Sequence, residues 1–235
     1  MICIVPARMA SQRFPGKPLS KIEGEPMVVH TLRRAQEARF FRDVVCATED
    51  QEIAEAVKQA GFSAILTPSG FRTGSDRIAW AARELKADRV VNLQGDEPLA
   101  NPETLRKVAQ KLKAISSGWV SAYCELQAGE YDRPSAVKVR VQEGLAQEFF
   151  RESNQSQEEN VFKHIGIYGY GPGALEQFAR SAPTNAEEEL SLEQLRVFPG
   201  TQFAMVPCSH PAPSVDVPED LKRIRALWPE PQGKL

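Results

Sequence analysis

Short apolar runs alternate with helical patterns throughout the first half of the chain. Strands are predicted at residues 2–5, 43–48, 63–67 and 89–94, and helices at residues 26–35, 50–60, 75–87 and 102–115. Ile- and Val-rich runs of this length suit strands that are buried in a parallel sheet. Strands that alternate with helices require right-handed crossovers, which cover the sheet with helices. The pattern therefore predicts an α/β fold built on a mostly parallel sheet.

The second half changes character. Strand patterns at residues 119–126, 136–141 and 161–170 follow one another without long helices between them. We predict an exposed loop over the Gln- and Glu-rich residues 148–160, a helix at 190–197, a strand at 203–207, a closing helix at 218–227 and a frayed tail at 229–233. This half predicts mixed strand pairing. No linker divides residues 1–235, so we expect one domain.

Composition and net charge limit the kinds of molecule that the protein is expected to bind. The formal net charge is −2 and 42% of the residues are hydrophobic, as in an ordinary globular enzyme, so we expect no nucleic-acid or membrane partner. The apolar run at 2–5 is too short for a signal peptide, which favours a cytoplasmic location. No zinc-like spacing links the isolated cysteines, so we expect buried reduced thiols at Cys3, Cys46, Cys124 and Cys208.

The loop after the first strand carries three cations. Arg8, Arg13 and Lys17 lie among two prolines and a glycine, at the carboxyl end of a predicted parallel strand. Ligands bind at that edge of an open α/β sheet. Arginine supplies forked donors and lysine a point charge, which together suit a polyphosphate. We interpret the loop as a nucleoside triphosphate site; the alternative is a solvated basic loop.

Acidic residues in two separate segments of the chain include candidate metal ligands. Asp96 and Glu97 end the fourth predicted strand within Gln-Gly-Asp-Glu-Pro at 94–98, and Asp216 precedes a helix that begins with proline. Carboxylates at such positions can hold Mg²⁺, which takes its other oxygen ligands from phosphate. Each acid has an alternative role as an ordinary helix cap.

Three further segments carry weaker patterns. The backbone donors and Ser75 of the Gly-containing turn at 71–77 could bind a base or ribose, and Arg72 or Arg77 could bind phosphate. Alternatively, Asp76 and Arg77 simply occupy a first helical turn, whose start Ser75 is placed to cap. Alternation places His164 on one strand face with Gly166 and Tyr168, a cationic or donor face suited to a hydroxylated acid. The segment 192–196 offers carboxylate and amide groups to sugar hydroxyls. Each pattern is also common as plain structure or as a solvated surface.

In this order and over residues 2 to about 227, the motifs resemble those of the 3-deoxy-manno-octulosonate cytidylyltransferases. The resemblance implies a Rossmann-like fold of the nucleotide-diphospho-sugar transferase type, with a nucleotide-binding half over about 1–115 and a sugar-acid and dimerisation half over about 116–228. It also implies Mg²⁺-dependent transfer of CMP from CTP to the anomeric hydroxyl of a 3-deoxy-octulosonic acid, with release of pyrophosphate. The family implies a cytoplasmic homodimer that supplies lipopolysaccharide assembly.

The resemblance also implies a role for each matching position. Catalysis is assigned to Arg8, Lys17 and Asp96, and metal binding to Asp96 and Asp216. The nucleotide is assigned to Arg8, Ser11, Arg13, Lys17, Arg72, Gly74, Ser75 and Arg77. The sugar acid is assigned to Gln94, Arg151, His164, Tyr168, Glu193 and Gln194.

The chain departs from the family pattern at two places. Phe71 stands where the family usually has His, and the segment at 152–160 after Arg151 lacks the usual pattern. The second departure motivates the hypothesis that the acceptor is a modified sugar acid such as the 8-amino-3,8-dideoxy analogue. A rival among the enzymes is a related nucleotidyltransferase that acts on another acid sugar, such as a nonulosonate. An alternative from another class is a catalytically inert nucleotide-binding relative.

Overall fold

The computed structural model describes residues 1–11, 13–151, 159–198, 200–208 and 212–228. The first half contains β1 Ile2–Ala7, β2 Lys21–Ile22, β3 Glu25–Pro26, α1 Met27–Glu37, β4 Val44–Thr48, α2 Gln51–Gln59, β5 Ser63–Leu66, α3 Gly74–Glu84, β6 Val90–Asn92 and α4 Pro102–Ala114. The second half contains β7 Trp119–Cys124, β8 Lys138–Gln142, β9 Leu145–Phe150, β10 Val161–Tyr170, α5 Ala174–Arg180, α6 Asn185–Leu190, β11 Phe203–Pro207 and α7 Pro218–Leu227. Short 3-10 turns span Lys17–Leu19 and Glu193–Arg196.

Nine strands form one sheet in the order β5-β4-β1-β6-β10-β7-β11-β9-β8. The strands β5, β4, β1 and β6 are mutually parallel, as the alternating sequence pattern predicts. The second half continues the same sheet through β10, which pairs antiparallel with β6. An additional antiparallel pairing of β8 with β10 closes β10, β7, β11, β9 and β8 into a ring. The α/β architecture with a mixed second part is confirmed.

Alternation along β1 divides the core between the two faces of the sheet. Cys3 and Val5 face a cluster that includes apolar side chains of α1, α2 and α4. Ile2 and Ile4 face a second cluster that includes side chains of α3 and α5. All four residues are at most 1% exposed. Helices on both faces explain why this strand reads as a continuous apolar run rather than as an alternating one.

Three local predictions need correction. Thr73 rather than Ser75 caps α3, because Thr73 and Asp76 form a reciprocal capping box. The predicted loop at 148–160 overlaps β9, which ends at Phe150, and residues 152–158 lie outside the described residues, as does the tail from 229. The predicted helix at 190–197 is the end of α6 followed by the 3-10 turn Glu193–Arg196. The four cysteines are free and buried, as predicted.

Candidate active site

A cavity of about 640 Å³ opens at the carboxyl ends of β1 and β6. It brings together motifs that are far apart in sequence: its lining includes Arg8, Ser11, Arg13, Lys17, Arg72, Gly74, Arg77, Gln94, Asp96 and Asp216. A larger cavity of about 900 Å³ lies between α3 and α5, and Arg72 is the one predicted site residue that lines it. The smaller cavity is therefore the candidate active site.

The cationic loop is folded around the backbone of Met9. Ser11 and Gly16 both donate their backbone N–H to the Met9 carbonyl, at 2.8 and 3.1 Å, and the Met9 N–H donates to Oδ2 of Asp50 at 2.8 Å. Gly16 has φ 71°, a left-handed conformation that glycine adopts without steric cost. The Ser11 hydroxyl accepts from the Phe14 N–H at 3.3 Å. These intramolecular contacts define the shape of the loop.

Two of the three loop cations are paired with the two predicted metal carboxylates. Lys17 Nζ donates to Oδ2 of Asp96 at 2.7 Å and to the Val215 carbonyl at 2.8 Å. Arg13 Nη2 donates to Oδ1 of Asp216 at 2.9 Å. Arg8 pairs with no residue in the part of the chain that the structure describes. The cavity lining therefore combines two neutralised acid–base pairs with three further arginines, Arg8, Arg72 and Arg77.

Close backbone packing fixes the position of Asp96. A Cβ at Gly95 would lie 2.7 Å from the carbonyl oxygen of Pro6, so only glycine fits where the two strand ends meet. The Gly95 carbonyl accepts from Thr31 Oγ1 at 3.2 Å, and the Asp96 carbonyl accepts from the Val215 N–H at 2.9 Å. Both predicted metal carboxylates are thus held by a connection between the β6 end and the segment before α7.

Glu97 is electrostatically distinct from its neighbour. Burial and the nearby Asp96 carboxylate raise the pKa of Glu97 to about 8. Glu97 does not belong to the cavity lining, and its Oε1 points toward Gly166 on β10. At neutral pH this side chain is therefore largely protonated and adds little negative charge beside Asp96.

Buried polar groups lie along β10 and the 3-10 turn Glu193–Arg196. Tyr168 donates its hydroxyl to Oε1 of Gln194 at 3.0 Å, and Gln194 is 1% exposed. The Nε2 atom of Gln194 is buried and has no acceptor among the described residues. The His164 ring lies 5.4 Å from the Tyr168 ring, so the two side chains share a face as predicted. This wall therefore contains a buried donor without an acceptor among the described residues, and none of these three residues belongs to the lining of the 640 Å³ cavity.

Ser75 connects the start of α3 to Glu193 instead of lining the cavity. It is fully buried, and it donates its N–H to Oε2 of Glu193 at 3.1 Å and its hydroxyl to Oε1 at 2.8 Å. Burial raises the pKa of Glu193, while the bonds from Ser75 partly oppose that shift. Ser75 therefore positions Glu193 in this structure, and a direct contact of Ser75 with the nucleotide stays a prediction.

A series of hydrogen bonds connects Ser75 to Gln94. Gln94 Nε2 donates to Oδ1 of Asn92 at 3.3 Å, and Asn92 Nδ2 donates to the Tyr170 hydroxyl at 3.0 Å. The Tyr170 hydroxyl lies 2.6 Å from Oγ of Ser75. Since the Ser75 proton is directed to Glu193, Tyr170 is the donor in that contact. Gln94 and Glu193 are therefore coupled through buried side chains.

The guanidinium groups of Arg77 and Arg151 form hydrogen bonds with other residues of this chain. Arg77 is 3% exposed; it donates to Thr67, forms an ion pair with Glu49 at 3.3 Å and lies 5.6 Å from the centre of the Phe71 ring. Arg151 donates to the backbone carbonyls of Leu190, Pro134 and Ser191. Arg77 thus forms part of the cavity wall behind Phe71, and Arg151 fastens the end of β9 to the α6 corner.

The residues present fit a magnesium ion that takes some of its ligands from the protein and the others from water and phosphate. Asp96 and Asp216 line the same cavity, and one oxygen of each carboxylate has no partner among the described residues. No group of three or more His, Cys, Asp and Glu side chains that could hold a metal occurs in the described ranges. Mg²⁺ binds through one or two carboxylates together with water and phosphate oxygens.

Comparison with known proteins agrees with this geometry. The family model described as Cytidylyltransferase matches residues 2–201. A 3-deoxy-manno-octulosonate cytidylyltransferase of Marinobacter nauticus is 39% identical, with 95% of each chain covered. Another from Anaeromyxobacter dehalogenans is 40% identical, with 95% of this chain and 96% of the relative covered.

The chain belongs to the cytidylyltransferase family.

Solved structures place this cytidylyltransferase near the 3-deoxy-octulosonate branch of the family. A CMP:2-keto-3-deoxy-manno-octonic acid synthetase complexed with CTP superposes with a TM-score of 0.91 at 32% identity, covering 96% of this chain and 97% of the other. A glucose-1-phosphate thymidylyltransferase of Bacillus anthracis superposes with a TM-score of 0.71 at 14% identity, which shows a shared fold alone. No helix among the described residues of the cytidylyltransferase is long and apolar enough to cross a membrane.

Sequence reasoning missed the polar residues that support the site of this cytidylyltransferase. Arg196 is 8% exposed; it pairs with Asp76 at 2.6 Å and with Glu187 at 2.6 Å, and it lies 4.0 Å from the centre of the Phe178 ring. It thereby ties the start of α3 to the turn that carries Glu193. A usable signal was present for Asn92, because a polar residue inside an apolar strand needs a buried partner.

Proposed function

We propose that this cytidylyltransferase transfers CMP from CTP to the anomeric hydroxyl of 3-deoxy-manno-octulosonate and releases pyrophosphate. The observation that carries the proposal is a single cavity that joins the cationic loop, both predicted metal carboxylates and Gln94. Gln94 is coupled through Asn92, Tyr170 and Ser75 to Glu193. The cationic side of the site suits a triphosphate, and the uncharged amide side suits a hydroxylated acid.

The nucleotide binds along the loop after β1. Arg8 forms no hydrogen bond or ion pair with a residue that the structure describes, so it contacts the triphosphate first. As CTP enters, Arg13 and Lys17 leave their carboxylate partners and bind phosphate oxygens instead. Arg72 adds a further cation at the rim. Its side chain is 59% exposed and pairs with Glu188 at 2.7 Å. The preshaped loop lowers the ordering cost of binding.

Asp96 and Asp216 would hold Mg²⁺ in this proposal. When bound, the ion supplies charge neutralisation for the phosphate oxygens and orients them. The protein contributes the fixed carboxylate positions, because backbone bonds around Gly95 and Val215 hold both segments. The lysine and arginine partners keep these carboxylates neutralised until a ligand arrives.

The sugar acid occupies the wall formed by β6, β10 and the Glu193–Arg196 turn. Glu193 and Gln94 bind hydroxyl groups, and Nε2 of Gln194, which is buried and has no acceptor among the described residues, donates to the substrate. The oxygen of the anomeric hydroxyl then bonds to the α-phosphorus of CTP while the bond from that phosphorus to the pyrophosphate oxygen breaks, and the hydroxyl proton is released to solvent. Lys17 and Arg8 stabilise the charge that develops on the phosphates, so positioning and electrostatics account for most of the rate enhancement.

Three features of the family complete the proposal. We propose a homodimer, a cytoplasmic location and a role in supplying lipopolysaccharide assembly. They rest on the similarity to the named relatives, over 95% of this chain.

The test is a matrix of substrates read by pyrophosphate release. The purified protein is supplied with each of four nucleoside triphosphates and either 3-deoxy-manno-octulosonate, its 8-amino analogue or a nonulosonate, with and without Mg²⁺. We expect turnover with CTP, the ordinary octulosonate and Mg²⁺. A clear preference for the 8-amino analogue or the nonulosonate would replace the proposed acceptor, and lack of turnover with every pair would refute catalysis.

A further inference from the structure

Strand β10 is irregular where it carries the predicted sugar-binding residues. It pairs antiparallel with β7 through Ile165 opposite Ala122, and the next recorded pair is Tyr168 opposite Ser121. Two residues of β10, Gly166 and Ile167, therefore lie opposite no β7 partner. A bulge of this kind redirects the carbonyl groups of the longer strand away from the regular ladder.

The hydroxyl of Ser121 lies beneath this bulge and is fully buried. Its Oγ is 2.9 Å from the carbonyl oxygen of Ile167, 3.2 Å from that of Ile165 and 2.8 Å from Nε2 of His164. Three groups thus surround an oxygen that carries a single proton. Two of those groups, the carbonyls, can only accept a hydrogen bond.

This arrangement determines the direction of the contact with His164. If Ser121 donated its proton to Nε2, both carbonyl oxygens would face hydroxyl lone pairs at hydrogen-bond distance, which is repulsive. Ser121 therefore donates to a carbonyl, and Nε2 of His164 donates to Oγ. Because burial lowers the pKa of His164 to about 3, the imidazole is neutral at pH 7 and has only this one N–H. Its Nδ1 is consequently an acceptor.

The ring of His164 is packed between aromatic side chains and is 7% exposed. The imidazole packs edge-on against Phe149, at 5.1 Å between centroids, and lies 5.4 Å from the Tyr168 ring. No group in the ranges that the structure describes forms a hydrogen bond with Nδ1. Tyr168 donates to Gln194, whose buried Nε2 is a donor without an acceptor among the described residues. The wall therefore offers one acceptor and one donor, which is the pattern that sugar hydroxyls satisfy.

We propose that Ser121 is a positioning residue that holds His164 as the Nε2–H tautomer, so that Nδ1 accepts a hydrogen bond from a hydroxyl of the sugar acid. The proposal rests on the proposed function for the identity of the ligand. It differs from the predicted cationic or donor face, because a neutral ring with a lone pair at Nδ1 repels a carboxylate. His164 therefore selects a hydroxyl, and the acid group of the substrate binds elsewhere.

The tautomer can be measured directly in the unmodified protein. The chain has three histidines, so ¹⁵N-histidine labelling gives a simple spectrum, and the His164 signals are those lost in His164→Gln. We expect a protonated Nε2 and an unprotonated Nδ1 at pH 7, and a shift of the Nδ1 signal when 3-deoxy-manno-octulosonate is added. An Nδ1–H tautomer, an imidazolium, or an Nδ1 signal that ignores the sugar acid would overturn the proposal.

Substitution of Ser121 tests the positioning role. Ser121→Ala should raise the KM for the sugar acid about five- to tenfold and mix the tautomers, with the KM for CTP changed less than about twofold. Ser121→Thr keeps the hydroxyl and should restore both readouts, and Ser181→Ala is the matched surface control. Unchanged tautomer and KM in a folded Ser121→Ala would contradict the role.

Failures of the two proposals are distinguishable. A protein that releases no pyrophosphate would count against the proposed function alone, because the tautomer and the Nδ1 titration with the sugar acid require no turnover. If Ser121→Ala does not fold, the spectrum of the unmodified protein still decides the tautomer.

Discussion

Lys17 donates from Nζ to Oδ2 of Asp96 over 2.7 Å, joining two residues that are 79 positions apart in sequence. The pair is largely shielded, with side-chain exposures of 13% for lysine and 26% for aspartate. A cation predicted to bind the triphosphate therefore neutralises a carboxylate predicted to bind the metal. The ion pair holds both side chains in the cavity.

Replacing the carboxylate tests this relationship. Asp96→Asn keeps the shape of the side chain but removes its charge, so we expect the fold to persist and Mg²⁺-dependent pyrophosphate release to fall at least about 100-fold. Pyrophosphate release and thermal unfolding are measured together. Asp88→Asn, at a side chain that is 73% exposed, is the matched control. Near-normal turnover by Asp96→Asn would refute the role of Asp96.

For the exposed pair of Arg13 and Asp216, we expect a substitution to affect CTP binding but not the stability of the fold. Their side chains are 67% and 46% exposed, so Arg13→Ala should change the free energy of unfolding by less than about 1 kcal/mol. Loss of a charge-assisted contact to phosphate should raise the KM for CTP about tenfold. Urea unfolding and initial rates provide the two measurements. Arg42→Ala, in a comparably exposed pair with Asp43, should alter neither.

For Arg196, which is buried, we expect a substitution to cause a large loss of stability. Arg196→Met leaves the carboxylates of Asp76 and Glu187 without their buried cation, so we expect a loss of about 3–5 kcal/mol in the free energy of unfolding. Arg180→Met removes an exposed pair with Glu176 and should cost less than about 1 kcal/mol. Equal losses in the two variants, measured by urea unfolding, would show that the network does not stabilise the fold.

His164 should make stability depend on acid pH. Because its pKa is lowered to about 3 in the folded protein, the unfolded chain takes up a proton near pH 6.5 that the folded chain does not. Stability from this group is complete above pH 6.5 and declines as the pH falls toward 3. Between pH 7 and 5, the wild type should lose about 2 kcal/mol more than His164→Gln does. Urea unfolding at pH 7 and pH 5 measures this difference. If both proteins lose the same free energy of unfolding between the two pH values, the His164 imidazole is not held in its neutral form.

Much of the secondary structure follows from local patterns. The run from Ile2 to Val5 reads as a buried strand because helices cover both of its faces. Strand β9 was missed because its exposure pattern is irregular: Gln147 and Glu148 are exposed in succession. The pairing of β9 with β8 shifts register next to these residues, which interrupts the alternation that predicts a strand.

The candidate site divides in a similar way. Arg8, Arg13 and Lys17 were recognisable because prolines and glycine confine them within one short loop. Ser75 was assigned to the nucleotide because it follows a glycine turn, but its partner Glu193 lies 118 positions away. No local pattern records a contact over such a separation.

The sequence by itself determined the parallel half of the sheet, the position of the cationic loop and the family, because apolar periodicity, turn residues and ordered motifs are local properties of a chain. Only the tertiary structure decided the partner and the protonation of each polar group. The pairing of Lys17 with Asp96 and the direction of the hydrogen bond between His164 and Ser121 are set by residues that folding brings together. Their chemistry depends on burial and on neighbouring donors and acceptors, which exist only once the sheet has formed.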